Sequence, residues 1–487
     1  MGGFPPFLAY NGGMNKGTTA EELRNKHPRF VYQKFSWQQL EDELVIEFNF
    51  LLEPDITFKP EIKIFPIEPA VLEKVGRERV DQWVFNLGMI ELFSYWKAAA
   101  SPEIVVKAGV LSDAQLAWWK QLLINGMGEF FYTNDLDFTQ PDFVTIVNEG
   151  VSEPSLGKTS ATKSNAPRYL VPCGGGKDSA LVIELLEENG LEYDVLLSHP
   201  QSPAAAKMAK LSRAGKIIHV GRSFDPQLFE LNKAGYLNGH TPFSARLAFE
   251  SGLVGLLLGH SQILLGNEFS ANEGNVPFHG TTVNHQYSKT FDFEQQFRDY
   301  ASQYLSPALT PAPEYLSLLR PLTELQIAAA FANYPRYHQL FKSCNRDQQE
   351  EQWCCQCPKC LFVFTILYPF LEESELVGLI FPENLFAKPS LNPMVLAMLG
   401  KDEHKPFECI GTYEETLAAF QLSIERFQAN HPSKPLPPVL EFVQQEVLSK
   451  EPAIDAAQAL CAWNDQHHLD ERLLPIVKAA QKRVCDR

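Results

Sequence analysis

The amino-acid sequence predicts an α/β protein whose central part is a doubly wound parallel sheet, preceded by an α+β N-terminal part and followed by a mostly helical C-terminal region. Three observations carry this. From Arg168 onward, short apolar runs alternate with amphipathic ones across short links: "RYLVPC", "KDSALVIELLEENG", "YDVLLSHP", "AAAKMAKLSRAG" and "KIIHVGR". That is the pattern of parallel strands joined by crossover helices. A glycine-rich turn, "CGGGKDS", separates the first such strand from the first such helix. And 487 residues with 45% hydrophobic composition suffice for two or three domains with cores of their own.

Residues 1–150 form the first expected unit. "FVYQKF" and "ELVIEFNFLL" read as strands, while "VDQWVFNLGMIELFSYWKAAA" and "SDAQLAWWKQLLING" have helical apolar spacing, the latter with Ser112 as its cap. The polar, Ser/Thr/Lys/Pro-rich stretch "NEGVSEPSLGKTSATKSNAPR" then marks a boundary, with a linker at 151–167. The middle domain runs over 168–370. Its longest apolar run, "SGLVGLLLGHSQILLG", is interrupted by His260, Ser261 and Gln262 before the roughly 20 residues that span a membrane, and reads as a core helix followed by a core strand. Residues 371–487 read as mostly helical and carry no chemical signal.

The N-terminal "MGGFPPFLAYNGGMNKG" lacks a charged start followed by an apolar stretch, and Pro6 occupies the position where a myristoylation signal has Ser or Thr. A cytoplasmic location and no membrane partner are expected. The formal net charge of −17 argues against a nucleic-acid partner, since backbone phosphate binding draws on clustered Lys and Arg. Oligomeric state is left open.

Three kinds of phosphate loop compete for the glycine turn, and spacing separates them. A Walker A loop needs Gly at 171 and Ser or Thr at 178, where Val171 and Asp178 stand. A dinucleotide fingerprint from Gly174 needs a third glycine where Ser179 stands. The turn instead resembles the PP-loop of the ATP pyrophosphatases, Ser-Gly-Gly-x-Asp-Ser directly after the first strand; Gly174, Gly175, Gly176, Lys177, Asp178 and Ser179 match it, with Gly174 replacing the first Ser. The resemblance implies that ATP is cleaved to AMP and diphosphate, usually by adenylation of a substrate oxygen. Gly175 and Gly176 would let the backbone approach phosphate, the following helix would present its N–H groups, Lys177 would neutralise charge, Ser179 would add a hydroxyl, and Asp178 would hold Mg²⁺. The plainer reading is a turn with Asp178 or Ser179 as an N-cap, but a cap alone calls for neither three glycines nor a lysine.

The second chemical signal is "SCNRDQQEEQWCCQCPKC". Cys344, Cys354, Cys357 and Cys360 offer four thiolates with successive Cys-x-x-Cys steps, which suits a closed tetrahedral zinc site, and Cys355 is left over. An iron–sulfur cluster, a redox dithiol and plain buried thiols remain alternatives. PP-loop enzymes that make the nitrile of 7-cyano-7-deazaguanine have a similar cysteine spacing, which favours zinc and also supplies a rival activity.

Between these signals lie "FELNKAGYLNGHTPFSA", "LLGNEFSANEGN" and "VNHQYSKTFDFE", each leaving an apolar element. Ligands of open α/β sheets gather where such loops emerge from the carboxyl ends of strands. Asn238, His240, Asn267, Glu268, Ser270, Asn284, His285, Ser288 and Lys289 are therefore candidate site residues, although any one of them alone reads as an ordinary loop cap.

Together with "FSYWKAAAS", "GMGEFFYTNDLD", "YLSLLRPLTEL", "CPKCLFVF" and "KPFECIG", these stretches resemble the UDP-N-acetylmuramoyl-L-alanyl-L-glutamate epimerase family, from about Phe30 to Gly411. The resemblance implies ATP-dependent inversion of the terminal glutamate of a UDP-sugar-peptide, a peptidoglycan precursor. Reach and pKa make His240 and His285 the first choices for the base, with Glu268 and Lys289 second. Asn238, Asn267, Ser270, Asn284 and Arg320 are the expected substrate contacts, and Arg222, Arg246, Arg320 and Lys289 the cations available to its phosphates and carboxylates. The competing functions are a PP-loop enzyme that makes an amide or nitrile or thiolates RNA, and a non-catalytic adenine-nucleotide sensor.

Overall fold

Strands form where apolar residues alternate along the chain, and the two longest, β1 (Arg29–Leu40) and β2 (Glu43–Leu52), pair antiparallel through a tight link. In the computed structural model, which describes residues 19–150, 168–199, 202–306, 312–346, 350–402, 404–450 and 455–487, they are followed by β3 (Ile56–Phe58), β4 (Glu61–Phe65), β5 (Glu103–Val106) and β6 (Thr145–Asn148). The middle of the chain adds β7 (Tyr169–Pro172), β8 (Tyr193–Ser198), β9 (Ile217–Ser223), β10 (Gln262–Leu265), the small hairpin β11 (Val276–Phe278) and β12 (Thr281–Val283), and β13 (Glu314–Ser317).

The protein is a mixed α/β structure with a large, parallel-rich sheet. β13-β10-β7-β8-β9 are all parallel, so β7 sits centrally with its successors wound to either side. This arrangement agrees with the strand and helix alternation in the sequence. Beyond β9 the sheet continues through β4, β2, β1, β5 and β6, with β3 alongside β2, to a total of 11 strands. The junction is antiparallel, Glu61–Phe65 against His219–Ser223. Strands from either side of the linker thus share one sheet; the linker itself, 151–167, lies outside the described residues, as does the N-terminal stretch 1–18.

Alternate residues of the central strands feed two separate cores, as the two-residue period of a strand requires. Leu170, Leu196, Ile218, Ile263 and Leu265 face one side, with the helices Arg77–Glu91, Asp113–Gly126 and Phe243–Leu258. Tyr169, Val171, Val195, Leu197 and Leu264 face the other, with the helices Lys177–Glu188, Glu324–Phe331, Pro358–Leu367 and Tyr413–Asn430. Ser112 does cap its helix, sharing a reciprocal capping box with Gln115. The apolar run predicted as helix plus strand is the helix Phe243–Leu258, ended by Gly259 at φ 75°, followed by β10. Among the described residues no helix is long and apolar enough to cross a membrane. The C-terminal region is helical, as expected.

The helix Phe243–Leu258 lies against the helix Arg77–Glu91. They touch closely enough that a Cβ at Gly252 would come within 2.2 Å of the fully buried Trp83 ring. Gly252→Ala should therefore lower the unfolding free energy by about 1–3 kcal/mol in a urea titration, steric overpacking outweighing the better helix propensity of alanine.

Candidate functional site

The glycine turn opens at the carboxyl end of β7, where the strand order reverses direction toward β8 on one side and β10 on the other. Gly175 has φ 82° and passes so near the backbone of Ala205 that a Cβ would lie 2.5 Å from its nitrogen. Only glycine meets both demands. Gly174 donates its N–H to Ser179 Oγ at 3.1 Å and its carbonyl accepts from Ser202 Oγ at 3.2 Å, while the Gly175 carbonyl accepts from Lys342 N at 3.0 Å. The N-terminus of the helix Lys177–Glu188 carries no side-chain cap, so its N–H groups remain available to an anion. A Cβ at Gly174 would meet nothing within 4 Å, so the position that departs from the PP-loop pattern has room for a side chain.

Lys177 is turned inward. Its Nζ lies 2.5 Å from Asp178 Oδ1 and pairs closely with Glu324, both Lys177 and Glu324 being only 2% exposed. Glu324 also faces Lys359 Nζ at 3.7 Å. Burial opposes charge on Glu324, but Lys177 and Lys359 prevail and hold its carboxyl below the ordinary value. Glu268, at the end of β10, has the opposite balance: burial and the neighbouring Glu324 carboxylate raise it against the pull of Lys289. Gly266 lets this β10 loop pass directly over Asp178, where a Cβ would lie 3.0 Å from the Asp178 Cβ.

A second group of side chains adjoins the first through Lys289. His285 Nδ1 is bound to the Glu129 carboxylate, His240 Nδ1 stands 3.7 Å from the same carboxylate, and the two imidazole rings are 4.5 Å apart. His285 also stands within electrostatic reach of Cys409, whose sulfur accepts from Lys289 Nζ at 3.4 Å. Burial alone would lower His285, but Cys409 and Glu129 outweigh it and raise the imidazole to about 10. His240 goes the other way: burial, then His285 and Lys97, hold it well below its ordinary value. Burial would raise the Cys409 thiol, yet Lys289, His285 and Lys359 bring it down to about 5. The two imidazoles are thus pushed in opposite directions, beside a thiol that is pushed down. The donor atoms of Glu129, His240 and His285 lie within 4.8 Å of one another. With Lys97 and Lys289 both acting on this group, it is better suited to moving protons than to holding a cation.

The four leading base candidates, His240, His285, Glu268 and Lys289, are thus brought into one region. The expected substrate contacts fare differently. Arg320 is fully buried and spends its guanidinium on the carbonyls of Glu268 and Lys289, both at 2.7 Å, and on Glu294 at 2.9 Å. Its guanidinium thus holds the backbone of those two residues in place. Ser270 is likewise buried, donating to Glu415 and accepting from Glu324 N at 3.2 Å. Asn284 caps its own turn, accepting from Gln286 N at 2.7 Å and donating to Ala271 O at 3.0 Å. Ser288 and Asn267 are buried, and Asn267 bonds Tyr315. Asn238 is exposed, with its Oδ1 on Gly239 N at 2.9 Å. Arg222 and Arg246 are already paired, with Glu91 and Glu250. The sequence reading missed Glu129, Glu324 and Cys409, the last from a C-terminal region in which it found no chemical signal; "KPFECIG" carried only the family resemblance.

Cys344, Cys354, Cys357 and Cys360 are brought together, with their sulfurs within 4.8 Å of one another, a set able to hold a metal such as zinc. Cys355, at φ 55°, is left out of the group, as its spacing suggested. The cluster bears directly on the site. Lys359, between two of the cysteines, reaches Glu324 and the Cys409 carbonyl, and Lys342 and Ser343, just before Cys344, pack on the glycine turn.

Residues 21–318 match the family model described as the MurL N-terminal domain, and residues 340–457 the MurL C-terminal domain. Three curated relatives carry the name UDP-N-acetyl-alpha-D-muramoyl-L-alanyl-L-glutamate epimerase. The protein from Xanthomonas oryzae pv. oryzae is 33% identical over 424 residues, 85% of this chain and 89% of its own length. That from Micromonospora sp. is 34% identical over 69% of this chain and 73% of its own, and that from Salinispora tropica 34% identical over 70% and 74%. No solved structure matches the chain.

If the four clustered cysteines hold a structural metal, native mass spectrometry should find one ion per chain, absent from Cys360→Ser. A strong chelator should lower the unfolding midpoint by on the order of 10 °C.

Proposed function

The chain belongs to the MurL family, and we propose that it inverts the terminal L-glutamate of UDP-N-acetylmuramoyl-L-alanyl-L-glutamate to D-glutamate, with cleavage of ATP to AMP and diphosphate, in the making of peptidoglycan precursors. One observation carries this reading: an anion-ready glycine turn is joined through Lys289 to a pair of imidazoles 4.5 Å apart, one pushed toward its neutral form by burial and the other toward its charged form by Glu129 and Cys409. A phosphate-binding loop alone would fit many activities. Its conjunction with a ready proton acceptor and a ready proton donor suits chemistry at a carbon acid.

The α-proton of a terminal glutamate is scarcely acidic, because its removal places a carbanion beside a carboxylate that is already negative. Adenylation cancels that charge. The carboxylate oxygen attacks the α-phosphorus of ATP and diphosphate departs, with the N–H groups of the loop and helix and the Ser179 hydroxyl holding phosphate oxygens. Asp178, the half-buried carboxylate at the mouth of the loop, would hold Mg²⁺, which supplies charge neutralisation there. Neutral His240 takes the α-proton, and protonated His285, steadied by Glu129, stands ready to return one. Water then cleaves the mixed anhydride and frees AMP. Lys289, between the two groups of side chains, faces the developing enolate charge.

With Mg–ATP and the substrate in heavy water, the product should be D-glutamate with one deuterium at the α-carbon, accompanied by AMP and diphosphate. His240→Ala and His285→Ala should each slow α-proton exchange by about 10²–10⁴-fold; exchange at the parent rate in both would remove these residues from the chemistry. The turnover profile should be flat through neutral pH, where His240 is neutral and His285 charged. It should fall as pH rises through about 10 and His285 loses its proton.

A further inference from the structure

Cys409 is the polar group of the site that the reaction above leaves unused. Its surroundings are organised around the sulfur. The Lys289 ammonium stands on the Cys409 sulfur, and the His285 imidazole, bound to the Glu129 carboxylate, acts on the same thiol, so that a nucleophile, an imidazole and an orienting acid are grouped as in covalent catalysis. The three come from segments more than 100 positions apart: Glu129 to His285 is a separation of 156, and the His285–Lys289 segment lies 120 positions or more before Cys409. Their meeting is therefore a product of the whole fold. Lys289 Nζ lies 3.4 Å from the sulfur and Lys359 binds the Cys409 carbonyl, so two ammonium groups fix the residue from either side. Cys173, Cys344, Cys355, Cys357 and Cys360 are buried; Cys354 and Cys409 are partly exposed, and of these two Cys354 belongs to the four-cysteine group, which leaves Cys409. A thiol in an electropositive, accessible position is the kind that reacts.

Resting on the epimerase reading, we propose that Cys409 is a covalent nucleophile in this reaction: its sulfur displaces AMP from the adenylated glutamyl carboxylate to form a thioester, and α-proton exchange and hydrolysis take place on that thioester in place of the mixed anhydride. In the first step the S–C bond forms and the bond from the carbonyl carbon to the AMP oxygen breaks, with AMP leaving on the electron pair. His240 takes the α-proton from the thioester and a proton returns to the carbon. Water then attacks the carbonyl, the C–S bond breaks, and the glutamate carboxylate and the thiolate are regenerated, both protons of the water passing to solvent. No electron changes hands.

The physical case for a bond to sulfur is twofold. A thiolate paired with cations is a weak base toward a carbon-bound proton but retains sulfur's nucleophilicity, so its charge is better used in bonding to carbon than in taking the proton. A thioester carbonyl also withdraws more strongly from its α-carbon than an oxygen ester does, because sulfur shares its lone pair poorly. The neutral base it needs, His240, is 4.5 Å from the His285 ring.

The test quenches the full chain in acid during turnover with Mg–ATP and the UDP-sugar-peptide, then weighs the peptide containing Cys409. A mass gain equal to the substrate less one water, removed by hydroxylamine, is expected. Cys409→Ser and Cys409→Ala should lack the adduct and lose epimerisation on the order of 10³-fold, while substrate-dependent exchange of labelled diphosphate into ATP persists. Absence of that exchange in the parent would sink the epimerase reading itself. Exchange in the parent without an adduct overturns the thioester, whether the variants keep turnover or lose it; in the latter case Cys409 only positions Lys289. Should the variants misfold, iodoacetamide on the intact chain decides: labelling of Cys409 must stop epimerisation with diphosphate exchange retained, and labelling that leaves turnover intact overturns the proposal.

Discussion

The buried ion pair between Lys177 and Glu324 is the constraint on which the site depends. An ammonium group at 2% exposure is stable only with its partner in place, and removing one member of such a pair typically costs about 3–5 kcal/mol. Glu324 is held in turn by several elements. Thr323 and Gln326 cap its helix reciprocally, its backbone N–H rests on Ser270, and Ser270 leans on Glu415 from the C-terminal region. One carboxylate therefore aligns the glycine turn, the β10 loop, the helix after β13 and the helix Tyr413–Asn430. Lys359 approaches the same carboxylate from the cysteine cluster, so the cluster and the phosphate loop are registered to one another electrostatically.

Local electrostatics here run against the global balance. The chain has a net charge of −17, yet its candidate centre gathers Lys97, Lys177, Lys289 and Lys359 around the carboxylates of Glu129, Asp178, Glu268 and Glu324 and a thiol. Burial makes each of these charges count, since a low-dielectric surrounding strengthens both attraction and repulsion. The opposite shifts of His240 and His285 follow from that: a ring-to-ring distance of 4.5 Å discourages two positive imidazoles, and Glu129 and Cys409 decide which one holds the proton.

What was legible in the sequence was local. The Ser112 cap, the β1 and β2 pair, the glycine turn and the spacing of the cysteines are all patterns within about 20 residues, where chain connectivity itself brings groups together. Glu129, Glu324 and Cys409 carry no local pattern. They join the site because a sheet and its two cores bring distant segments together. Arg320 and Ser270 were expected to meet substrate, and their burial is a tertiary property that no local pattern shows. Asn284 turned out to be the ordinary turn cap that such a residue alone most often is.

The antiparallel seam between β4 and β9 bears on how the chain can be divided. A break between 151 and 167 would leave each fragment with a bare strand edge, one along β4 and one along β9, and such unpaired edges invite association. Each edge is the complement of the other. The two fragments would therefore carry complementary edges, and a pair rejoined along them would regain Glu129 opposite His285. In this protein the same stretch of backbone hydrogen bonds serves both as an internal joint and as a latent docking interface.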